Sequence, residues 1–276
     1  MITASIVTYN HSLADIEPAL KSLLGSIVRC IYIIDHSKDK SLLRKEIEGY
    51  DERIIYIEHE NKGYGSGHNV ALRKAIDDAM DYHIVVNPDV WFDSDIISNI
   101  EAYMDAHEEV GHLMPGICYP NGETQRLCKL LPTPLDLFGR LCIPFLTNKR
   151  NYRFELVDSG YDKRMNVPYL SGCFMFFRVS ALKTVGLFDE HFFMYAEDVD
   201  MTRRIHREYV TLFYPDVNIY HKFSRASRRE LKLFFVHVIN LAMYFNKYGW
   251  FFDKERTRVN RETLQQISNL INKKTV

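Results

Sequence analysis

No two cysteines in this chain of 276 residues stand at the C-x-x-C spacing that redox motifs and many zinc sites use. The five cysteines are odd in number, which favours buried thiols in a reducing compartment over a disulfide framework. An apolar run approaching the roughly 20 residues that span a bilayer is also missing. The segment after Met1, Ile-Thr-Ala-Ser-Ile-Val, has the pattern of a strand and not of a secretory leader. We therefore expect a cytoplasmic protein.

An excess of one charge sign is absent as well. Lysine and arginine number 35 against 36 aspartates and glutamates, so the composition does not point to a nucleic-acid partner. Internal repeats and low-complexity tracts, which would indicate a solenoid or a disordered segment, are not found. The chain does have 46% hydrophobic residues, which is enough for a sizeable core. Its length fits one large α/β domain or two small ones.

Short apolar runs alternate with helical patterns through the first third of the chain. Residues 2–8, 30–34, 54–58 and 83–86 are rich in β-branched and other apolar side chains. Such an alternation is typical of α/β folds with a largely parallel sheet. Polar residues follow each of these strands, at the position where open α/β sheets bind ligands.

Two aspartates stand at or just after the ends of such strands. Asp35 ends the second strand, and it either caps a turn or hydrogen-bonds a base or ribose. Asp89 comes after Asn87 and Pro88, and because a proline cannot continue a central ladder we expect Asp89 to leave the sheet edge. A carboxylate there either holds a divalent cation that bridges phosphate oxygens or caps a turn. His221 follows a later strand and, by itself, is more typical of an ordinary strand-end histidine than of a ligand.

A glycine-rich loop lies between the third strand and the next helix. Gly63, Gly65 and Gly67 have the spacing G-x-G-x-G instead of G-x-G-x-x-G, and they follow the third strand rather than the first. The segment from Val7 to Ser12 has no glycine, which argues against a dehydrogenase and against a sugar nucleotidyltransferase. The loop either brings backbone close to a nucleotide diphosphate or serves turn geometry alone.

Five carboxylates lie within residues 186–203, which we call the acidic stretch: Asp189, Glu190, Glu197, Asp198 and Asp200. Carboxylates among aromatic neighbours need a cation, a hydrogen-bond donor or a proton to abstract. The last three precede a predicted helix that carries Arg203 and Arg204, which suggests a general base held by basic neighbours one turn away. The alternative is an acidic helix start that the helix dipole favours.

The remaining segments have looser patterns. Residues 129–165 are predicted to form a variable, partly helical excursion. From Arg228 a helix is predicted, for whose apolar face core packing is favoured and an interfacial membrane contact is the alternative. That face is made of Leu231, Phe234, Phe235, Val238, Leu241, Ala242 and Phe245. Residues 254–276 are polar and are predicted to form a solvated helical tail.

Taken together, these motifs resemble those of the family 2 glycosyltransferases with the GT-A fold, in particular the rhamnosyltransferase-like branch. The similarity runs from Ile6 to about Lys247. Its most specific part is Gly186 to Asp200, which is similar to Gly-x-Phe-Asp-Glu-x-Phe-Phe-x-Tyr-x-Glu-Asp-x-Asp. The glycine-rich loop is similar to the family segment Asn-x-Gly-Phe-Ala-Gly-Gly-Asn-Asn, and Asn-Pro-Asp stands at the position of its Asp-x-Asp motif.

The resemblance implies a role for each matched residue. Asp198 corresponds to the general base, with Glu197 next to it, and Asp89 and His221 correspond to the metal site. The implied nucleotide-sugar contacts are Thr8, Tyr9, Asn10, Asp35, Asn61, Gly63, Gly67, Asn69 and Asn87.

The chain also departs from the family pattern. Asn87 replaces the first acid of Asp-x-Asp, so metal binding either depends on Asp89 and His221 or is weaker. His36 and His68 stand where asparagine is commoner. His237 and Asn240 match a His-x-x-Asn pattern that is typical of the branch.

The implied fold is α/β, a GT-A (Rossmann-like) nucleotide-sugar-binding fold with a mixed central sheet and a C-terminal helical extension. We expect a transferase domain over residues 1–225, made of a nucleotide-binding half (1–110) and an acceptor and catalytic half (111–225). Residues 226–276 are expected to form the extension.

The implied activity is inverting sugar transfer to an acceptor hydroxyl in surface polysaccharide or lipid-linked glycan synthesis. The donor is a nucleotide-diphosphate sugar, either dTDP-rhamnose or a UDP-sugar, and the cofactor is Mg²⁺ or Mn²⁺. A peripheral contact with the inner face of the membrane fits such an acceptor. The alternative from another class is a catalytically silent nucleotide-sugar-binding module on the same fold, against which the intact Glu-Asp-x-Asp argues.

Overall fold

The computed structural model describes residues 1–137, 148–222 and 231–272. A mixed β-sheet forms its centre, with the strand order β3 (Ile54–Glu58), β2 (Cys30–Asp35), β1 (Ile2–Thr8), β4 (Tyr82–Val86), β10 (Phe174–Arg178), β6 (Val110–Cys118), β11 (Val210–His221) and β5 (Val90–Trp91). A short strand, β8 (Met165–Asn166), pairs with β11. Two others, β7 (Cys128–Lys129) and β9 (Tyr169–Leu170), form a separate two-stranded sheet.

The first four strands lie parallel to one another at one side of the sheet, and β6 and β11 form a second parallel pair. β1 and β4 are almost fully buried, as is typical of parallel strands covered on both faces. Thr8 pairs with Asp35, and Asp35 pairs with Glu58, so that the carboxyl ends of β1, β2 and β3 are level. The strands predicted over 2–8 and 54–58 are confirmed with these bounds.

β10 makes the sheet mixed because it lies antiparallel between β4 and β6. Three fully buried phenylalanines hold it in the core: Phe174, Phe176 and Phe177. The residues just before β10 therefore reach the carboxyl end of β4, where the Asn87 backbone N–H donates to the Cys173 carbonyl over 2.9 Å. Through β10, residues from the second half of the chain reach the edge of the sheet at which polar residues end β1, β2 and β3 and follow β4.

The helices are α1 (Leu13–Leu24), α2 (Ser41–Ile47), α3 (Tyr64–Asp77), α4 (Ile96–Ala106), α5 (Asn148–Phe154), α6 (Val179–Val185), α7 (Glu197–His206), α8 (Leu231–Tyr248) and α9 (Lys254–Asn272), with a short 3₁₀ turn at Val157–Ser159. α1 follows the predicted pattern, since its apolar residues at helical spacing are buried and Ser12 forms a capping box with Asp15. α5 and the 3₁₀ turn confirm a partly helical excursion over the part of 129–165 that the structure describes.

The C-terminal helices α8 and α9 bury more side chains in the core than the sequence predicts. Leu241 and Phe245 of α8 are buried as expected, whereas Phe235 is exposed. The predicted start of this helix at Arg228 lies outside the described residues. The prediction of a solvated tail is wrong for α9, because Val259 and Ile267 are only 4% exposed and pack in the core.

Phe251 and Phe252, in the connection between α8 and α9, are 78% and 97% exposed. The interfacial membrane contact considered for this region stays a prediction. Within residues 1–137, 148–222 and 231–272, no helix has the length and apolar content needed to cross a bilayer.

Candidate active site

Asp35 is fully buried at the end of β2 and is surrounded by donors. Its Oδ1 accepts hydrogen bonds from the Ser37 N–H (2.9 Å) and from the hydroxyls of Ser37 and Thr8, and its Oδ2 accepts one from the Tyr56 hydroxyl (2.6 Å). Burial alone would raise the pKa of Asp35, but these donors outweigh burial and lower it. Asp35 therefore caps the turn at Ser37, as one of the two alternatives predicted. A contact to base or ribose stays a prediction.

Two further predicted nucleotide contacts follow β1. The Asn10 N–H donates to the Ser37 Oγ over 2.7 Å, which ties this loop to Asp35. Asn10 has a φ of 56°, a left-handed conformation that asparagine tolerates better than most residues. Tyr9 is 47% exposed, so its ring is accessible to a ligand at this edge.

The glycines of the glycine-rich loop are required by close packing. Gly63 has a φ of 109°, and a Cβ there would lie 2.4 Å from the Phe193 carbonyl oxygen of the acidic stretch. A Cβ on Gly67 would lie 2.7 Å from Val7 of β1 and 2.8 Å from the His36 ring. The loop therefore presses the start of α3 against both the first strand and the acidic stretch, and side chains at these positions would force them apart.

Asn69 joins α3 to the acidic stretch. Its Oδ1 accepts from the Phe188 N–H (3.0 Å), and its Nδ2 donates to the Phe188 carbonyl (2.9 Å) and to Glu190 (2.8 Å). Glu190 also accepts from Ser66 and Arg73. Because these contacts use both amide hydrogens and the amide oxygen of Asn69, the geometry favours a positioning role over a nucleotide contact.

Asp89 and His221 lie side by side where β4 and β11 end. The Asp89 Oδ1 is 3.3 Å from the His221 Nε2. On the other side of the ring, the His221 Nδ1 is 3.0 Å from the Gln125 Oε1, which can only accept, so Nδ1 carries a proton. A histidine held in this way presents Nε2 as a ligand when a cation is bound. One carboxylate oxygen and one imidazole nitrogen fit a site for Mg²⁺ or Mn²⁺ in which further ligands come from elsewhere.

Cys173 is a neighbour of this pair that the sequence patterns did not indicate. Its side chain is buried and interacts with His221. Burial alone would lower the pKa of His221, but Cys173 and Asp89 raise it to about 10. Across the described segments, no group of three His, Cys, Asp or Glu side chains is arranged to hold a metal by itself.

Glu197 and Asp198 begin α7 and differ in their surroundings. The Asp198 Oδ2 accepts from the Gly172 N–H (3.1 Å) and its Oδ1 from the Val199 N–H (2.8 Å). Burial raises the pKa of Asp198, while Lys129 and the backbone donors oppose that rise. Burial and the neighbouring Asp198 both raise the pKa of Glu197, while backbone donors, among them the Ala196 N–H at 2.9 Å, oppose that rise. Burial thus raises the pKa of both carboxyls of the pair, and a lysine, Lys129, opposes the rise at Asp198.

The expectation that Arg203 and Arg204 hold the general base is wrong. The Arg204 Nε donates to the Asp200 Oδ2 over 2.9 Å, one turn away, and Arg203 turns to Asp253 and Glu255 near the start of α9. Asp198 is held by backbone N–H groups instead. The reason is the helical period, because position 198 faces position 202, which is a threonine.

Side chains of α8 hold the acidic stretch through ion pairs and hydrogen bonds. The Lys247 ammonium bridges Asp189 (2.7 Å) and the buried Asp200 (2.6 Å), and the Tyr248 hydroxyl donates to Asp200 as well. Asn240, from the predicted His-x-x-Asn pattern, accepts the Phe193 N–H over 2.8 Å. These contacts assign Asp189 and Asp200 to holding the loop that carries Asp198.

Residues 3–186 match the sequence model of glycosyl transferase family 2. The chain belongs to this family. The match includes Asp35, Asn87 and Asp89, whereas Asp198 and His221 lie beyond its end. The predicted family is thus confirmed, and so is its enzyme class, glycosyltransferase.

Among curated proteins, the family 2 chain is similar to rhamnosyltransferase WbbL of Escherichia coli K12, with 25% identity over 90% of this chain and 96% of that protein. It is 30% identical to the N-acetylglucosaminyl-diphospho-decaprenol L-rhamnosyltransferase of Mycobacterium tuberculosis, over 81% of this chain and 76% of that protein. Both names support the rhamnosyltransferase-like branch.

Among solved structures, the chain resembles the mannosyltransferase PcManGT of Pyrobaculum calidifontis in complex with GDP-Man and Mn²⁺. The TM-score is 0.58 at 19% identity, over 89% of this chain and 63% of that one. The predicted GT-A fold, with its mixed sheet and C-terminal helices, is confirmed.

Proposed function

We propose that this glycosyltransferase moves a sugar from a nucleotide-diphosphate donor to an acceptor hydroxyl with inversion at the anomeric carbon. The observation that carries the proposal is the buried carboxyl pair at the start of α7, in which the N–H groups of Gly172 and Val199 hold Asp198 and burial raises the pKa of both Asp198 and Glu197. A binding module has no use for a poised base, so the pair argues against the silent alternative.

In this mechanism Asp198 is the general base. The acceptor oxygen forms its bond to the anomeric carbon as the bond from that carbon to the diphosphate oxygen breaks. The acceptor proton passes to the Asp198 carboxylate, and the nucleoside diphosphate leaves with the electron pair. The N–H groups of Gly172 and Val199 orient the carboxylate before the proton arrives.

Asp89 and His221 are the proposed ligands of a Mg²⁺ or Mn²⁺ ion. A bound cation neutralises the charge that the leaving diphosphate gains. Since this pair supplies two donors, we propose that diphosphate oxygens provide further ligands. The Mn²⁺ in the mannosyltransferase complex supports the choice of metal.

The proposed donor is dTDP-rhamnose or a UDP-sugar, and the proposed acceptor is a surface polysaccharide or lipid-linked glycan. The rhamnosyltransferase names of the two curated relatives support a deoxyhexose donor. The diphospho-decaprenol in the mycobacterial name supports a lipid-linked acceptor.

The first test is isothermal titration calorimetry of the protein with dTDP and with UDP, each with and without Mg²⁺ or Mn²⁺. We expect one nucleotide to bind much more tightly when the metal is present, because cation and diphosphate complete one site. Failure of both nucleotides to bind a folded protein would contradict the proposal. Metal-dependent binding without turnover of any sugar donor would favour the silent module.

Lys129 gives a test of the charge balance at Asp198. It lies on β7 opposite Tyr169, with its Nζ 4.6 Å from the centre of that ring, and it lowers the pKa of Asp198. The base must be ionised to accept a proton, so turnover falls as pH drops through that pKa. In Lys129→Met the pKa of Asp198 should rise, and the acidic limb of the pH–rate profile should move to higher pH.

The matched control is Lys45→Met, which removes an exposed lysine of α2. Its acidic limb should coincide with that of the wild type. An unchanged limb in Lys129→Met, measured as kcat against pH with saturating substrates, would show that Lys129 does not set the charge of the base.

A further inference from the structure

Two adjacent phenylalanines project from the surface between α8 and α9. Phe251 and Phe252, which we call the phenylalanine pair, are 78% and 97% exposed. The residues on either side are turned inward, since Trp250 packs against the Phe245 ring and Asp253 is buried. Contiguous exposed apolar side chains often mark an interaction site, because leaving them in water forgoes the free energy of burial.

A buried arginine holds the turn that carries the phenylalanine pair. Arg256 is only 5% exposed. Its guanidinium donates to the carbonyl oxygens of three successive residues of the turn, 249–251, over 3.2 to 3.4 Å. Gly249 permits the tight bend, because its φ is 103° and a Cβ there would lie 2.9 Å from the Phe252 carbonyl oxygen. The phenylalanine pair is therefore displayed by an ordered turn and not by a loose end.

The same turn is joined to the helix that begins with the proposed base. Asp253 accepts the Arg256 N–H over 2.9 Å and two hydrogen bonds from Arg203 of α7, over 2.8 and 2.9 Å. α7 carries Asp198 in its first turn. The buried ion pair between Arg203 and Asp253 thus ties the position of the phenylalanine pair to that of Asp198.

The small area of the phenylalanine pair argues against a protein partner. A stable protein–protein interface buries about 800 Å² on each side. Two aromatic side chains supply only about 300–500 Å², even when both are fully covered. A side chain that is 97% exposed projects from its surroundings and needs a partner that can close around it. The fluid interface of a bilayer does so, and segments that lie in it use Phe, Trp and Leu as anchors.

Exposed cations follow the phenylalanine pair along α9. Lys254, Arg258 and Arg261 are exposed and are spaced by four and three residues, which places them on one face of the helix. Glu262 pairs with Arg258, but the face as a whole stays positive. Lysine and arginine beside an apolar anchor are attracted to the anionic headgroups of a membrane.

We propose that the phenylalanine pair inserts into the headgroup region of a membrane that contains anionic lipids, with the cations of α9 on the headgroups beside it. Membrane binding of this kind goes beyond the proposed function and does not depend on it. For a lipid-linked acceptor, the turn sets the distance between the bilayer and Asp198, because the Arg203–Asp253 pair joins the two.

The experiment measures co-sedimentation of the full chain with vesicles of phosphatidylcholine, with and without an equal share of phosphatidylglycerol. We expect the wild type to bind the anionic vesicles. In the double variant Phe251→Ser/Phe252→Ser the affinity should fall at least about tenfold, since burial of even one phenylalanine contributes that much. The matched control is Leu42→Ser/Ile55→Ser, which removes two exposed apolar side chains from α2 and β3 and should bind like the wild type.

The contribution of the cations is tested separately. Lys254→Gln/Arg261→Gln should lower the affinity for anionic vesicles by about fivefold per cation, which is the usual effect of a basic residue near such a surface. Its affinity for vesicles of phosphatidylcholine alone should equal that of the wild type.

Tryptophan fluorescence distinguishes insertion from adsorption. In Phe252→Trp the added ring should be quenched by lipids brominated in their acyl chains, beyond the quenching that Trp91 and Trp250 show in the wild type. Leu42→Trp, which adds a tryptophan at an exposed position of α2, should show no extra quenching.

Wild-type-like vesicle binding by the serine double variant would overturn the inference, and so would failure of the wild type to bind anionic vesicles. Self-association of the wild type that the serine variant lacks, measured by analytical ultracentrifugation, would also overturn it, because the pair would then join copies of the chain. Failure of the wild type to bind either nucleotide counts against the proposed function and leaves vesicle binding unaffected, so the two failures are distinguishable.

Discussion

Replacing Asp198 by asparagine should lower turnover by about 10²–10⁴, the usual contribution of a general base. The amide keeps the size of the side chain and still accepts from one backbone N–H, but it cannot take the proton of the acceptor hydroxyl. Nucleotide binding should be retained, because the cation pair Asp89 and His221 is on other elements. The measurement is kcat for sugar transfer together with calorimetric affinity for the nucleotide.

The matched control is Asp216→Asn, which neutralises an exposed aspartate paired with Arg164 and should leave turnover unchanged. Near-wild-type turnover in Asp198→Asn would remove Asp198 from the mechanism. If nucleotide affinity fell together with turnover, Asp198 would instead contact the nucleotide-sugar donor.

Replacing Arg203 by methionine should destabilise the fold by about 3–5 kcal/mol, because it leaves buried acids without their cation. The Arg203 side chain is 2% exposed, and it donates to Asp253 through two nitrogens (2.8 and 2.9 Å) and to Glu255. Asp253 is itself only 4% exposed. For a chain of this size the melting temperature should fall by about 6–20 °C.

Arg258→Met is the control for Arg203, since it removes the same charge from an exposed pair with Glu262 on α9. Exposed pairs contribute about 0–1 kcal/mol, so its melting temperature should be close to that of the wild type. If thermal unfolding of Arg203→Met matched this control, the ion-pair cluster would not be what attaches α9 to α7.

The parallel half of the fold is readable from the sequence because its signals are local. Each of β1 to β4 is a short, mainly apolar run that stops at a polar residue. β1, β2 and β4 are buried on both faces, which favours such runs. The antiparallel β10 between β4 and β6 is not readable in this way, because its pairing depends on contacts between distant segments. The pattern of β11 is interrupted in the sequence, and the register shift between Tyr214 and Asn218 explains the interruption.

Two errors had a signal in the sequence. Val259, Thr263 and Ile267 recur every four residues, which marks a buried stripe on an otherwise polar α9. The same period pairs position 200 with 204, so the partner of Arg204 was predictable as Asp200. In both cases helical spacing determines the contacts, and average polarity or proximity in sequence does not.

The motifs located the candidate site, but they did not give its internal contacts. Lys129 beside Asp198, Gln125 behind His221 and Tyr64 between Asn87 and Gly172 all join segments far apart in the chain. A motif specifies residue types at fixed offsets, whereas these neighbours are set by how the sheet is ordered. The roles of the site residues stay predictions.

The contacts between α8 and the acidic stretch limit where chimaeras of this chain and its relatives can be joined. Asn240, Lys247 and Tyr248 hold the segment that carries Asp198, so the two regions should be inherited together. A chimaera joined near residue 225 would pair one parent's loop with the other parent's helix and lose this match. Exchange of acceptor specificity is better attempted with a junction before Gly186, which transfers loop and helices as one piece.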